Sequence, residues 1–156
     1  ATYDLAPEMS ARSVTDVLCR AIRDRNHDFI LCNYANGDMV GHTGSMAATL
    51  AAVQTVDACL ARVLETVELA DARLLVTADH GNCEMMIDPL TGGPHTAHTT
   101  SPVPFVVVDP DGDRPLRGGG ALCDVGPTIL RMLDVELPSE MTGMDLRENV
   151  GQDVRS

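Results

Sequence analysis

The chain is 156 residues long, carries 23 acidic residues against 11 basic ones, and has a formal net charge of −12. That length suits one domain with a substantial core, and that charge repels phosphate backbones and anionic lipid, which argues against nucleic-acid or membrane partners. With no Trp, two Tyr and two Phe, the interior must be filled by Leu, Val, Ile, Met and Ala.

The opening stretch, ATYDLAPEMS, holds acids and a proline where a secretory signal would need a basic and then an apolar region, so a cytoplasmic setting is expected. Val14, Val17, Leu18, Ala21 and Ile22 follow at helical spacing, with Ser13 as the expected N-cap and Asp16 three residues on. The short apolar run DFILCNY reads as a first strand. A polar turn, NYANGDMVGHTG (33–44), comes next. Residues 46–70 then form a long amphipathic helix, with Met46, Leu50, Val53, Val56, Leu60, Val63, Leu64 and Val67 on its apolar stripe. No apolar run is expected to reach membrane-spanning length.

RLLVTA (73–78) is a second strand and ends in the polar cluster DHGN. A glycine-containing loop leads through DPLTGGPHTAHTTSP to a third strand, VPFVVVD (103–109). The turn-rich DPDGDRPLRGGG separates it from a last helix in CDVGPTILRMLDVELP, with Asp124 at or near the N-cap and Pro127 in the first turn. Residues 1–148 are expected to form one folded portion and 149–156 a frayed tail. Strands and helices alternate, and the strands are nearly continuous apolar runs. The expected fold is therefore α/β, with a largely parallel sheet covered by helices on both faces.

Five cysteines, an odd number without a CxxC pair, read as reduced and mostly packed thiols. The histidines are more informative. Asp38 and His42 follow the first strand, Asp79 and His80 follow the second, and His95 and His98 precede the third. Taken singly, each pair reads as a turn or a cap. Together, at the strand ends where α/β folds bind ligands, they point to a metal cluster. His27 lies apart and reads as solvated, and Cys83 as packing. Carboxylate and imidazole without thiolate suit Mn²⁺ or Zn²⁺. Two such ions could clamp the attacking and leaving oxygens of a phosphoryl displacement.

NYANGDMVGHTG, TADHGN and HTAHTTSPVPF, with ATYDLAPEMS and DVGPTILRMLDVELPSEMTGMDL in the same order, resemble the C-terminal part of the cofactor-independent (2,3-bisphosphoglycerate-independent) phosphoglycerate mutases of the alkaline phosphatase superfamily. The resemblance implies an incomplete alkaline-phosphatase-like fold. It assigns Asp38, His42 and His98 to one manganese and Asp79 and His80 to part of a second site, and it leaves His95 to orient His98 or its loop. The choice of His98 over His95 comes from the resemblance; the residues alone leave both open.

The family's activity is a glycolytic isomerase reaction that interconverts 3-phosphoglycerate and 2-phosphoglycerate through a phosphorylated serine. That serine, the substrate-holding inserted domain and a catalytic lysine belong to segments not matched here, and this chain has no lysine. Ser45 is the serine nearest the metal motifs, but the family places the nucleophile elsewhere. Three expectations follow: a catalytically incomplete metal-binding part of such a mutase; half of a metal-dependent phosphatase or phosphodiesterase; or a non-catalytic module that self-associates through an exposed sheet edge.

Overall fold

Helix α1 (Ala11–Asp24) buries Ala11, Thr15 and Cys19, three residues spaced four apart and so stacked on one face. In the computed structural model, residues 2–112 and 114–147 are described. The expected tail 149–156, and the last residue of the expected 1–148 portion, lie outside them. α1 starts earlier than its apolar spacing suggests: its N-cap is Ser10, and Ser13 lies within the helix. Val17, counted into the apolar face, is exposed. The helix ends at Arg25, in the left-handed conformation at φ 51°, whose N–H bonds the Ile22 carbonyl.

The run expected as a first strand, Asp28 to Tyr34, has no strand partner among the described residues. Apolar character signals that a segment can be buried; forming a ladder also needs hydrogen bonds to a second backbone, and among the described residues this run makes none of that kind. Phe29 and Leu31 accordingly stay exposed. Tyr34 anchors the end of the run through its hydroxyl, 2.8 Å from the buried Thr15 hydroxyl. Asn36 donates to the carbonyls of Pro7 (2.8 Å) and Glu8 (2.9 Å). The polar turn that follows is in fact a short helix, α2 (Asn36–Gly41).

Helix α3 (Met46–Leu69) has the expected bounds to within a residue, and Ser45 caps it by accepting from the Ala48 N–H. Its buried face keeps only Val63 and Val67 of the expected stripe. Ala48, Thr49, Ala52, Cys59, Val63, Thr66 and Val67 are buried, whereas Met46, Leu50 and Val53 are exposed. Small side chains let α2 approach closely, forming a cluster of Val40, Ala48 and Ala52. Further along, Val63 and Val67 pack with Cys19 of α1. Among the described residues α3 is long and apolar enough to cross a bilayer by length and composition, contrary to the expectation that no run would be. One side of it packs against α1 and α2, and 28% of its most apolar window is buried.

Strands β1 (Leu74–Thr77) and β2 (Phe105–Val108) fall where expected but pair antiparallel, with Leu74 opposite Val108 and Thr77 opposite Phe105. The largely parallel sheet is therefore not present among the described residues. An apolar run reports burial and carries no information on strand direction. The antiparallel register has a functional consequence: the chain leaving β1 after Thr77 and the chain entering β2 before Phe105 share one end of the ribbon.

The chain divides into two compact units, Ala1–Pro110 and Asp111–Ser156. In the second, a 3₁₀ turn (Leu122–Asp124) leads into helix α4 (Val125–Met132), with Asp124 at the N-cap and Pro127 in the first turn. The Asp124 carboxylate accepts from the N–H groups of Ala121 and Met144, each at 2.8 Å. Thr128, fully buried, donates to the Asp124 carbonyl and accepts from the Leu146 N–H at 3.0 Å.

Candidate metal centre

Asp38 and His42 sit one helical turn apart, in the first turn and at the C-cap of α2, so their side chains leave the same face. The loop after β1 brings His80 to them, and the loop before β2 brings His98. The Asp38 Oδ1 lies 2.9 Å from His98 Nε2 and 3.0 Å from His42 Nε2. The two imidazole nitrogens are themselves 3.0 Å apart. Three donor atoms from two segments thus form a nearly equilateral triangle, open to solvent on one side.

His80 joins the same cluster. Its Nε2 is 4.0 Å from Asp38 Oδ1, and its ring stacks on that of His98 at 3.8 Å between centroids and 17° between planes. Asp38, His80 and His98 also present one donor atom each within 4.8 Å of one another. Asp79 points outward, 77% exposed, with its carboxylate 3.7 Å from His80 Nε2. The His95 backbone N–H bonds the Met86 carbonyl at 2.9 Å, and its ring Nδ1 is buried with no hydrogen-bond partner. No hydrogen bond joins it to His98 among the described residues.

The electrostatics favour a cation. His42 Nδ1 lies 2.6 Å from the Thr96 carbonyl, an acceptor only, so Nδ1 carries a proton and Nε2 is the ring atom that faces the triangle. Burial alone would raise the Asp38 carboxyl. Hydrogen bonds from His98 and Asn82 and the His42 charge outweigh it and hold the group below the ordinary carboxylate range. Ligand atoms about 2.1 Å from an ion lie roughly 3.0 Å apart at right angles and roughly 3.4 Å apart in a tetrahedron. The observed triangle fits one divalent cation, and His80 Nδ1, buried without a partner, marks a further polar atom at the cluster.

Cys83 is not a competing ligand: burial pushes its thiol up, and its sulfur lies 3.5 Å from where a Cβ on Gly37 would stand. Ser45, spent on capping α3, is not presented to the cluster. Two supporting residues were not among the expected site residues. Asn82, 5% exposed, donates from Nδ2 to Asp38 Oδ1 at 3.2 Å. Glu84 accepts from the Asn82 N–H at 2.7 Å and from the Thr99 hydroxyl. The Thr99 bond, helped by backbone N–H groups and opposed by burial, keeps the Glu84 carboxyl below its ordinary range. Both residues follow DH in DHGNCE, and that adjacency was the available clue.

Comparison with known proteins gives a consistent picture. The metalloenzyme superfamily matches residues 1–137. The 2,3-bisphosphoglycerate-independent phosphoglycerate mutase of Rhodopirellula baltica is 55% identical over 148 residues, covering 94% of this chain and 27% of the relative. Those of Psychromonas ingrahamii and Vibrio cholerae are 51% and 52% identical, each over 94% of this chain and 28% of their own length. A crystal structure of Leishmania mexicana phosphoglycerate mutase, described as being at low cobalt concentration, superposes with a TM-score of 0.84 at 30% identity, over 93% of this chain and 29% of that one. The chain thus spans little more than a quarter of the length of these relatives.

Proposed function

Because the chain belongs to the metalloenzyme superfamily, we propose that it is the metal-binding C-terminal part of a 2,3-bisphosphoglycerate-independent phosphoglycerate mutase. In this reading Asp38, His42 and His98 hold one divalent cation, Mn²⁺ foremost and Zn²⁺ as an alternative, while Asp79 and His80 supply part of a second site. The observation that carries it is the triangle of Asp38 Oδ1, His42 Nε2 and His98 Nε2 at 2.9–3.0 Å. Its support from relatives is the 51–55% identity to mutases over nearly the whole chain.

A bound cation in such a site supplies positive charge that lowers the pKa of a hydroxyl nucleophile and offsets charge on a transferring phosphoryl group. The chain's own residues prepare that place. Asp38 contributes the anion, Thr96 fixes the His42 tautomer, and His98 closes the triangle from the opposite loop. The substrate, phosphoglycerate, and the serine that carries the phosphoryl group belong to the complete enzyme. The chain by itself binds the ion without interconverting 3- and 2-phosphoglycerate.

Calorimetric titration with Mn²⁺ tests this: one tight ion is expected for the chain and none for His42→Ala. Failure of the chain to bind, or equal binding by the variant, overturns the assignment. A second reading, an assembly module that pairs with another chain, is favoured by the unpaired run carrying exposed Phe29 and Leu31 and by exposed Met46, Leu50 and Val53 on α3. Sedimentation should then give a mass that rises with concentration; a monomer at the highest concentration tested removes that reading.

A further inference from the structure

The two loops that deliver His80 and His98 are tied together by more than their own backbones. Gly81 and Thr99 form an isolated antiparallel bridge, in which the Thr99 N–H bonds the Gly81 carbonyl at 2.9 Å. The Glu84 carboxylate reinforces it with both oxygens. Oε1 accepts from the Thr99 hydroxyl, and Oε2 accepts from the Asn82 N–H at 2.7 Å. Thr99 Oγ1 in turn accepts from the Ser101 N–H at 3.2 Å. From Asn82 the chain of bonds continues through Nδ2 to Asp38 Oδ1. A Cβ on Gly81 would run into both the Thr99 hydroxyl and the Glu84 carboxylate, so the bridge leaves no room for a side chain there.

We infer that Glu84 is a positioning residue for the metal centre: by bonding Thr99 and Asn82 at once, it fixes the loop of His98 against the loop of His80 and, through Asn82, against Asp38. This rests on the metal-site reading above and adds to it a residue that touches no ligand atom. Glu84 spans the gap because its two oxygens face opposite loops. A single-acceptor side chain would satisfy one loop and release the other. The stacked His80 ring and the His42 bond to the Thr96 carbonyl hold His98 from the side of its ring and of the preceding loop. On the following side, among the described residues, only the Gly81 bridge and this brace keep its Nε2 at 2.9–3.0 Å from Asp38 and His42. Residues that orient metal ligands in this way are commonly worth 10–100-fold in metal affinity.

The test uses Co²⁺ as the probe, because its visible absorption reports coordination number and symmetry, and follows binding to the intact chain and four variants. The chain should bind, and His42→Ala should not. Glu84→Ala and Thr99→Val should bind 10–100-fold more weakly and give an altered spectrum. Thr99→Ser, which restores the hydroxyl, should recover the affinity and spectrum of the parent. Circular dichroism checks that each variant is folded, and Thr99→Ser against Thr99→Val decides the matter even if Glu84→Ala does not fold. If His42→Ala binds like the parent, the metal-site reading fails and the brace with it. If His42→Ala loses binding while Thr99→Val keeps the parent's affinity and spectrum, the metal site stands and the brace is wrong.

Discussion

If one cation is shared by α2 and the loop before β2, unfolding must release it, so metal should raise the melting temperature by a calculable amount. At a free Mn²⁺ concentration of a hundred times the dissociation constant, linkage adds about 2.7 kcal/mol. The ligands all lie in the unit Ala1–Pro110, whose unfolding entropy, at about 2.1 cal/mol/K per residue, is near 0.23 kcal/mol/K. The expected shift is about 12 °C between metal-loaded and EDTA-treated protein, read by far-ultraviolet circular dichroism. For His42→Ala two effects separate. Without metal the variant loses the bond to the Thr96 carbonyl, about 1 kcal/mol or roughly 4 °C. With metal at the same concentration the variant should gain nothing, and even a residual affinity a hundredfold weaker would leave only about 0.4 kcal/mol, or roughly 2 °C of stabilisation. A parent chain whose melting temperature ignores saturating Mn²⁺, or a variant that keeps the full shift, refutes the shared-ion geometry.

Three further outcomes follow from the packing and the charges. Val63→Ala, at a position 2% exposed, should cost about 2–3 kcal/mol in urea unfolding, while Leu50→Ala, at 57% exposure, should cost under about 0.5 kcal/mol; equal losses would mean α3 buries the other face. Gly41→Ala gains about 1 kcal/mol of helix propensity in principle, but its Cβ collides with the Asn82 side chain, so the net effect should be destabilising by about 1–3 kcal/mol and should weaken Mn²⁺ binding; a stabilised variant contradicts that contact. Asp38, Glu84, Asp88 and Asp124 are all held below their ordinary values, Asp88 and Asp124 chiefly by backbone N–H groups. Folded values lower than unfolded ones mean that the unfolded chain takes up protons first, so this stability is present above about pH 4.5 and lost as pH falls through about 4 and below. Urea midpoints that stay constant from pH 5 to pH 3 would contradict it.

Local order was written in the sequence because it depends on neighbours within a few residues. The periodicity of α3, the apolar runs of β1 and β2 and the cap at Asp124 needed nothing beyond their own segments. The pairing of Asp38 with His42 was legible from residue type and closeness in the chain, but the helical turn that aligns them was not, since the segment reads as a polar turn and is α2. The choice of α3's buried face was not legible, because alanines and valines around the helix make several faces apolar enough to bury. Only the approach of α2 selected Ala48 and Ala52 over Leu50 and Val53, while Val63 and Val67 are buried as the spacing suggests.

Long-range order came from the tertiary structure. The apolar run at Phe29–Cys32 could not reveal that it would lie unpaired, since a ladder needs a second backbone that a single segment does not specify. The direction of the β1–β2 pair was equally hidden, and it is what sets the loops of His80 and His98 at the same end of the ribbon. Residue types told which side chains can bind a cation. Which of them converge within 3 Å of one another, with His80 stacked on His98 and no hydrogen bond from His95 to His98 among the described residues, is a matter of distances between segments far apart in the chain, and only folding fixes those.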